Sequence, residues 1–149
     1  VSDVAFHFNV ADRLGYACRL LRKAQRLGTA VSVTGAASLL DRLDELLWTF
    51  EPTEFVPHLR VAASVAPAGH LQPTPLWLVD DIAQAPPDHR VLLQLADEVP
   101  DGVDRFERVI EIVSTDPDEA AAGRLRWRAH AQAGRRIVRH DASVASESG

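Results

Sequence analysis

Two stretches of this sequence carry side chains with chemistry to offer, and neither has the layout of a catalytic centre. The first is residues 48–58, where Trp48, Phe50 and Phe55 fall among Pro52, Pro57 and His58. Proline-held loops that present aromatics suit protein interfaces, where large apolar side chains act as anchors. The same aromatics could instead close the core beneath a long loop. The second is residues 120–140, which hold Arg124, Arg126, Arg128, Arg135, Arg136 and Arg139 and no carboxylate. Arg124, Trp127, Arg128 and Ala131 follow helical spacing and share one face, while Arg126, His130 and Gln132 fall off that stripe. Guanidinium forks bind carboxylates, so an exposed Trp127 between arginines makes a place for an acidic peptide that ends in an aromatic and a carboxylate. The alternative is a solvated basic face with Trp127 turned into the core.

Other chemistries lack their residues. The loop after the first strand, residues 9–15, has a single glycine, Gly15, and the loop after the second, residues 34–38, has no lysine. Neither G-x-G-x-x-G nor G-x-x-x-x-G-K-[ST] occurs, so no glycine-freed backbone N–H groups are in place to cradle a phosphate. Asp80 and Asp81 end an apolar run as strand-ending aspartates do. The histidines show no metal-ligand spacing, and Cys18 is the only cysteine. Ser38 and Ser64 lie in no nucleophile elbow. The expectation is no catalytic residue, no metal and no cofactor. The competing reading is a nucleotide-binding enzyme of degenerate Rossmann-like fold.

The elements that must position these residues follow from periodicity. Residues 4–10 alternate, with Phe6 and Phe8 against His7 and Asn9, and read as a strand. Asp12 is placed to cap a helix to about Arg26, on which Leu14, Ala17, Cys18 and Leu21 keep helical spacing. Residues 30–34 read as a buried strand, and a helix runs from Ser38 to about Trp48. Residues 60–75 are rich in Ala and Pro and read as a connection, with a short strand at 60–65. Residues 76–79, 91–95 and 109–113 read as strands. Pro117 follows the candidate cap Asp116 and opens a helix to about Ala133. A last strand covers 136–140. Strands that alternate with helices predict a single α/β, Rossmann-like domain over residues 1–140: a mostly parallel sheet with helices on both faces and no phosphate-binding loop. Residues 141–149 are expected to be a disordered tail.

Bulk properties bound the function. The chain has 149 residues, 46% of them hydrophobic and 25% charged, which suits one soluble domain. Its net charge of −5 argues against general nucleic-acid binding. No apolar run reaches membrane-helix length, and Val1, Ser2 and Asp3 do not resemble an export signal, so the expected location is the cytoplasm.

Asp41-Arg42-Leu43-Asp44-Glu45-Leu46-Leu47-Trp48 followed by Phe55-Val56-Pro57-His58 resembles the signature of the chi-subunit family of bacterial DNA polymerase III. The resemblance runs from Phe6-His7-Phe8 to His140 and is nearest to the beta-proteobacterial type. It implies a Rossmann-like fold without phosphate motifs and a non-catalytic adaptor of the clamp-loader assembly. One surface would bind the psi subunit or, in competition with it, a helicase, through Trp48, Phe55 and Pro57. Another would bind the acidic C-terminal tail of single-stranded-DNA-binding protein, which ends in Pro-Phe, through Val113, Arg124, Trp127 and Arg128. Direct DNA binding is not expected. Trp127 stands where the enterobacterial branch has a tyrosine and Ala120 where it has a lysine; Arg126 and Arg135 are the candidates to replace that charge.

Overall fold

A computed structural model describes residues 1–49 and 55–143. Residues 50–54, in the first aromatic stretch, and 144–149, most of the tail expected to be disordered, lie outside the described residues. In chain order the elements are β1 (Asp3–Val10), α1 (Arg13–Arg26), β2 (Val31–Thr34), α2 (Ala37–Thr49), β3 (Leu59–Val61), β4 (Leu76–Val79), β5 (Val91–Gln94), β6 (Arg108–Ser114), α3 (Pro117–Gln132) and β7 (Arg136–Asp141). Three single-turn 3-10 segments, Gly69–Leu71, Ile82–Gln84 and Val103–Arg105, lie in the connections. The strands form one sheet in the order β3-β4-β2-β5-β6-β1-β7, and every neighbouring pair is parallel.

The layering follows from that order. The chain steps one way across the sheet from β1 to β2 to β3, and the other way from β3 through β7. Parallel crossovers are right-handed, so the two directions of travel must use opposite faces. Helices α1 and α2 therefore share one face, and α3 covers the other.

Strand alternation supplies a core to each side. Leu76, Leu78, Val31, Val33, Leu93 and Ile112 pack with Leu14, Ala17, Cys18 and Leu21 of α1 and with Leu40, Leu43 and Leu47 of α2. Val4, Phe6, Leu92, Val109 and Val113 pack on the other side with Phe106, Ala120 and Trp127. That second face also buries Gln94 and Glu111. α3 opens as its sequence dictates. Pro117 occupies the first turn, and the Asp116 carboxylate accepts hydrogen bonds from the backbone N–H groups of Asp118 and Glu119. It lies so close to β6 that a Cβ on Gly123 would stand 2.7 Å from a methyl of Val113.

Candidate functional site

The first stretch forms an aromatic corner where α2 ends and the chain returns to β3. Trp48 is 61% exposed and Phe55 48%, with ring centroids 4.8 Å apart. Both therefore lie outside the core. Val56, between Phe55 and Pro57, is buried among the α1 and α2 side chains. Extended backbone alternates its side chains, so burying Val56 leaves Phe55 and Pro57 at the surface. His58 lies against both rings, with centroids 5.2 Å from Trp48 and 6.0 Å from Phe55. Its imidazole is almost fully buried. Nδ1 stands 2.7 Å from the Val56 carbonyl and Nε2 2.8 Å from Asp44 Oδ1. One ring thus ties the loop to α2 and fixes the seat of both aromatics. An open groove lined by Arg42, Glu45, Leu46, Trp48 and Thr49 adjoins the corner.

The second stretch separates into two layers. Arg124 and Arg128 are exposed and make no hydrogen bond or ion pair among the described residues. Trp127 is half-buried and meets Phe6 edge to face, with centroids 5.1 Å apart at 79°. Val113 is buried directly beneath Gly123. The four expected site residues are thus brought to one region, two as free cations and two as apolar wall.

Arg126 and Arg135 do not join the free cations. Arg126 is buried, and its Nε donates to Glu111 Oε1 at 2.8 Å. The Arg135 guanidinium donates to both Asp104 oxygens, at 2.9 and 3.0 Å. It holds the Asp104 carboxyl far below the usual carboxylate range, helped by the N–H of Ser2. Neither arginine can stand in for a surface cation at Ala120 while so paired.

Arg126 belongs to a buried network that sequence reasoning missed. Glu111 has no exposure and also accepts from Gln94 Nε2 at 3.2 Å. His130 Nε2 lies 2.8 Å from Glu111 Oε2, and Arg135 Nη1 lies 3.2 Å from His130 Nδ1. An arginine can only donate, so His130 Nδ1 accepts and Nε2 carries the hydrogen for Glu111. The signal was present in the sequence. A glutamate inside Val109-Ile110-Glu111-Ile112-Val113 needs a buried partner, and Arg126 and His130 are four apart on one helical face.

At the carboxyl end of the sheet, where open α/β folds place ligands, the loops are occupied by the chain itself. The Asp12 carboxylate lies over the first turn of α1, where its Oδ2 would clash with a Cβ on Gly15. Gly35 packs against Leu95, and Arg13 donates to the Ile112 carbonyl at 3.0 Å. No group of three or more His, Cys, Asp or Glu among the described residues could hold a metal, and no described helix is long and apolar enough to cross a membrane.

Comparison with known proteins adds two findings. The family model described as DNA polymerase III chi subunit, HolC matches residues 1–138. A curated relative, DNA polymerase III subunit chi of Pseudomonas aeruginosa, is 34% identical over 130 residues, covering 86% of this chain and 85% of the relative.

Proposed function

This chain belongs to the DNA polymerase III chi-subunit family, and on that premise we propose that it is a non-catalytic cytoplasmic adaptor that joins a psi-type subunit to the acidic tail of single-stranded-DNA-binding protein. The aromatic corner is the psi side, and a helicase would compete for it. Trp48 and Phe55 are large, exposed and held from beneath by His58, as interface anchors are. The α3 face is the tail side. The observation that carries this reading is the pair of unpartnered arginines, Arg124 and Arg128, beside the apolar wall of Trp127 and Val113. Charge would steer an acidic tail to the arginines, and its last phenylalanine would pack on the wall. The Asp12 carboxylate at the start of α1 supports the absence of a nucleotide role, since it repels a phosphate from that turn.

The test is a titration with a short acidic peptide ending in Asp-Ile-Pro-Phe. Binding should weaken as salt rises, because charges on the rim are screened over about 8 Å at physiological ionic strength. Removing the final phenylalanine should abolish binding at every salt concentration. A shortened peptide that binds as well as the intact one would leave only nonspecific attraction to a basic surface, and the tail reading would fall.

A further inference from the structure

The arginines of the C-terminal stretch divide by what they touch. Arg126 and Arg135 are paired with Glu111 and Asp104. Arg124, Arg128 and Arg136 are exposed, with no hydrogen bond, ion pair or ring contact among the described residues. Arg139 belongs to neither group. It sits on β7, the edge strand, in register with Phe6 of β1. Its guanidinium carbon lies over the Phe8 ring, 5.2 Å from the centroid, and 6.0 Å from that of Trp127. No carboxylate lies within ion-pair distance of it among the described residues. Asp141 is near enough to feel its charge, but that carboxylate accepts from Asn9 Nδ2 at 3.1 Å and from the Ser143 hydroxyl at 2.6 Å.

A guanidinium seated on ring faces keeps the N–H groups at its rim available for a planar acceptor. It is also partly ordered beforehand, whereas a solvated arginine must lose side-chain freedom on binding. The rings that hold it are half-buried and continuous with the apolar cluster of Phe6, Val113, Ala120 and Ile137. A seated fork beside an apolar shelf fits the end of a peptide whose last side chain is aromatic, because the α-carboxylate and the ring leave the same Cα. The loose arginines fit the acidic side chains upstream, where charge matters more than geometry.

We propose that Arg139, held by Phe8 and Trp127, takes the terminal carboxylate of the acidic peptide, extending the site from α3 onto the sheet edge. This assignment rests on the tail-binding reading above and is tested separately from it. Two N-terminally labelled peptides of the same acidic sequence ending in Pro-Phe, one with a free C-terminal acid and one with a C-terminal amide, are titrated into the wild-type protein and into Arg139→Gln, Arg139→Lys and Arg128→Gln. Wild type should lose roughly tenfold or more in affinity on amidation, the scale of a charged hydrogen bond. Arg139→Gln should lose a similar factor for the free acid and little more on amidation. Arg139→Lys keeps the charge without the fork and should recover only part of the loss. It also carries the comparison if the Gln variant melts early. Arg128→Gln should bind more weakly yet remain fully sensitive to amidation. An Arg139→Gln protein that still loses tenfold on amidation, or a wild type indifferent to it, overturns the assignment. If wild type binds neither peptide, the tail reading itself is what fails.

Discussion

The aromatic corner and the α3 face present opposite chemistry to solvent but are built on one plan. At the corner the exposed groups are rings, and the buried group that seats them is His58, tied to Asp44 and the Val56 carbonyl. On α3 the exposed groups are cations, and the buried group that seats their helix is Glu111, tied to Arg126, His130 and Gln94. In both, an exposed surface takes its geometry from a polar side chain it hides. The difference lies in what each surface would ask of a partner. Rings gain by shedding water and are indifferent to salt, whereas free arginines attract at a distance and are screened.

The largest effect should come from breaking the buried support of α3. Glu111→Ala leaves Arg126 buried without its counterion and His130 without its acceptor, and should cost about 3–5 kcal/mol of stability. Urea unfolding measures this directly. A loss below about 1 kcal/mol would mean that packing at Gly123 and Trp127, not the network, holds the helix.

Next comes the corner itself. Trp48→Ala should cost more than about 2 kcal/mol in binding a psi-type partner while leaving the melting temperature nearly unchanged, because the side chain is mostly exposed. Early melting without a selective loss of that partner would make Trp48 a structural residue and erase the contrast with α3. Arg128→Ala should weaken binding of the acidic peptide by about 1 kcal/mol and shift stability by less than about 0.5 kcal/mol. Its binding should also become less sensitive to salt. A variant with an unchanged salt dependence would show that the free cations do no steering.

The effect that is smallest at neutral pH belongs to neither surface and serves as a control. His7 is driven down from 6.5 to about 4, first by burial and then by the neighbouring His140, against which its ring stacks at 4.5 Å, and by Arg108 and Lys23. A histidine with a lowered folded value is protonated more readily in the unfolded chain. Its stabilising contribution is therefore complete above about pH 6.5 and is lost progressively as the pH falls towards 4. His7→Gln should flatten the stability profile across that window while both surfaces keep their partners. Thermal melts at successive pH values decide it.

Much of the architecture was legible. Alternation in residues 4–10 and the apolar runs at 76–79 and 91–95 found their strands within a residue or so, because a buried strand must be apolar where it faces the core. Asp116 and Pro117 marked the start of α3 because capping is local chemistry. β3 was less legible. Only three residues, Leu59–Val61, pair with β4 at the sheet edge, so its bounds depend on the neighbour rather than on its own pattern. Helical spacing puts Arg124, Trp127 and Arg128 on one face of α3, but it does not show that Arg126 turns inward. Counting carboxylates within residues 120–140 also misled, since Asp104 and Glu111 reach that stretch from elsewhere in the chain.

The sequence by itself determined the strand–helix alternation, the Asp116 cap, the absence of glycine-rich phosphate loops and the family motif, because each depends on residues close together in the chain, whereas Asp12 at the start of α1 makes no capping hydrogen bond. Only the tertiary structure decided which arginines are free. An ion pair forms between groups that the fold makes neighbours, and the packing of α3 on β6 brings Arg126 against Glu111, 15 residues away in the chain. Pairing in space, which no local pattern encodes, separates the buried Arg126 from the exposed Arg128 two residues away.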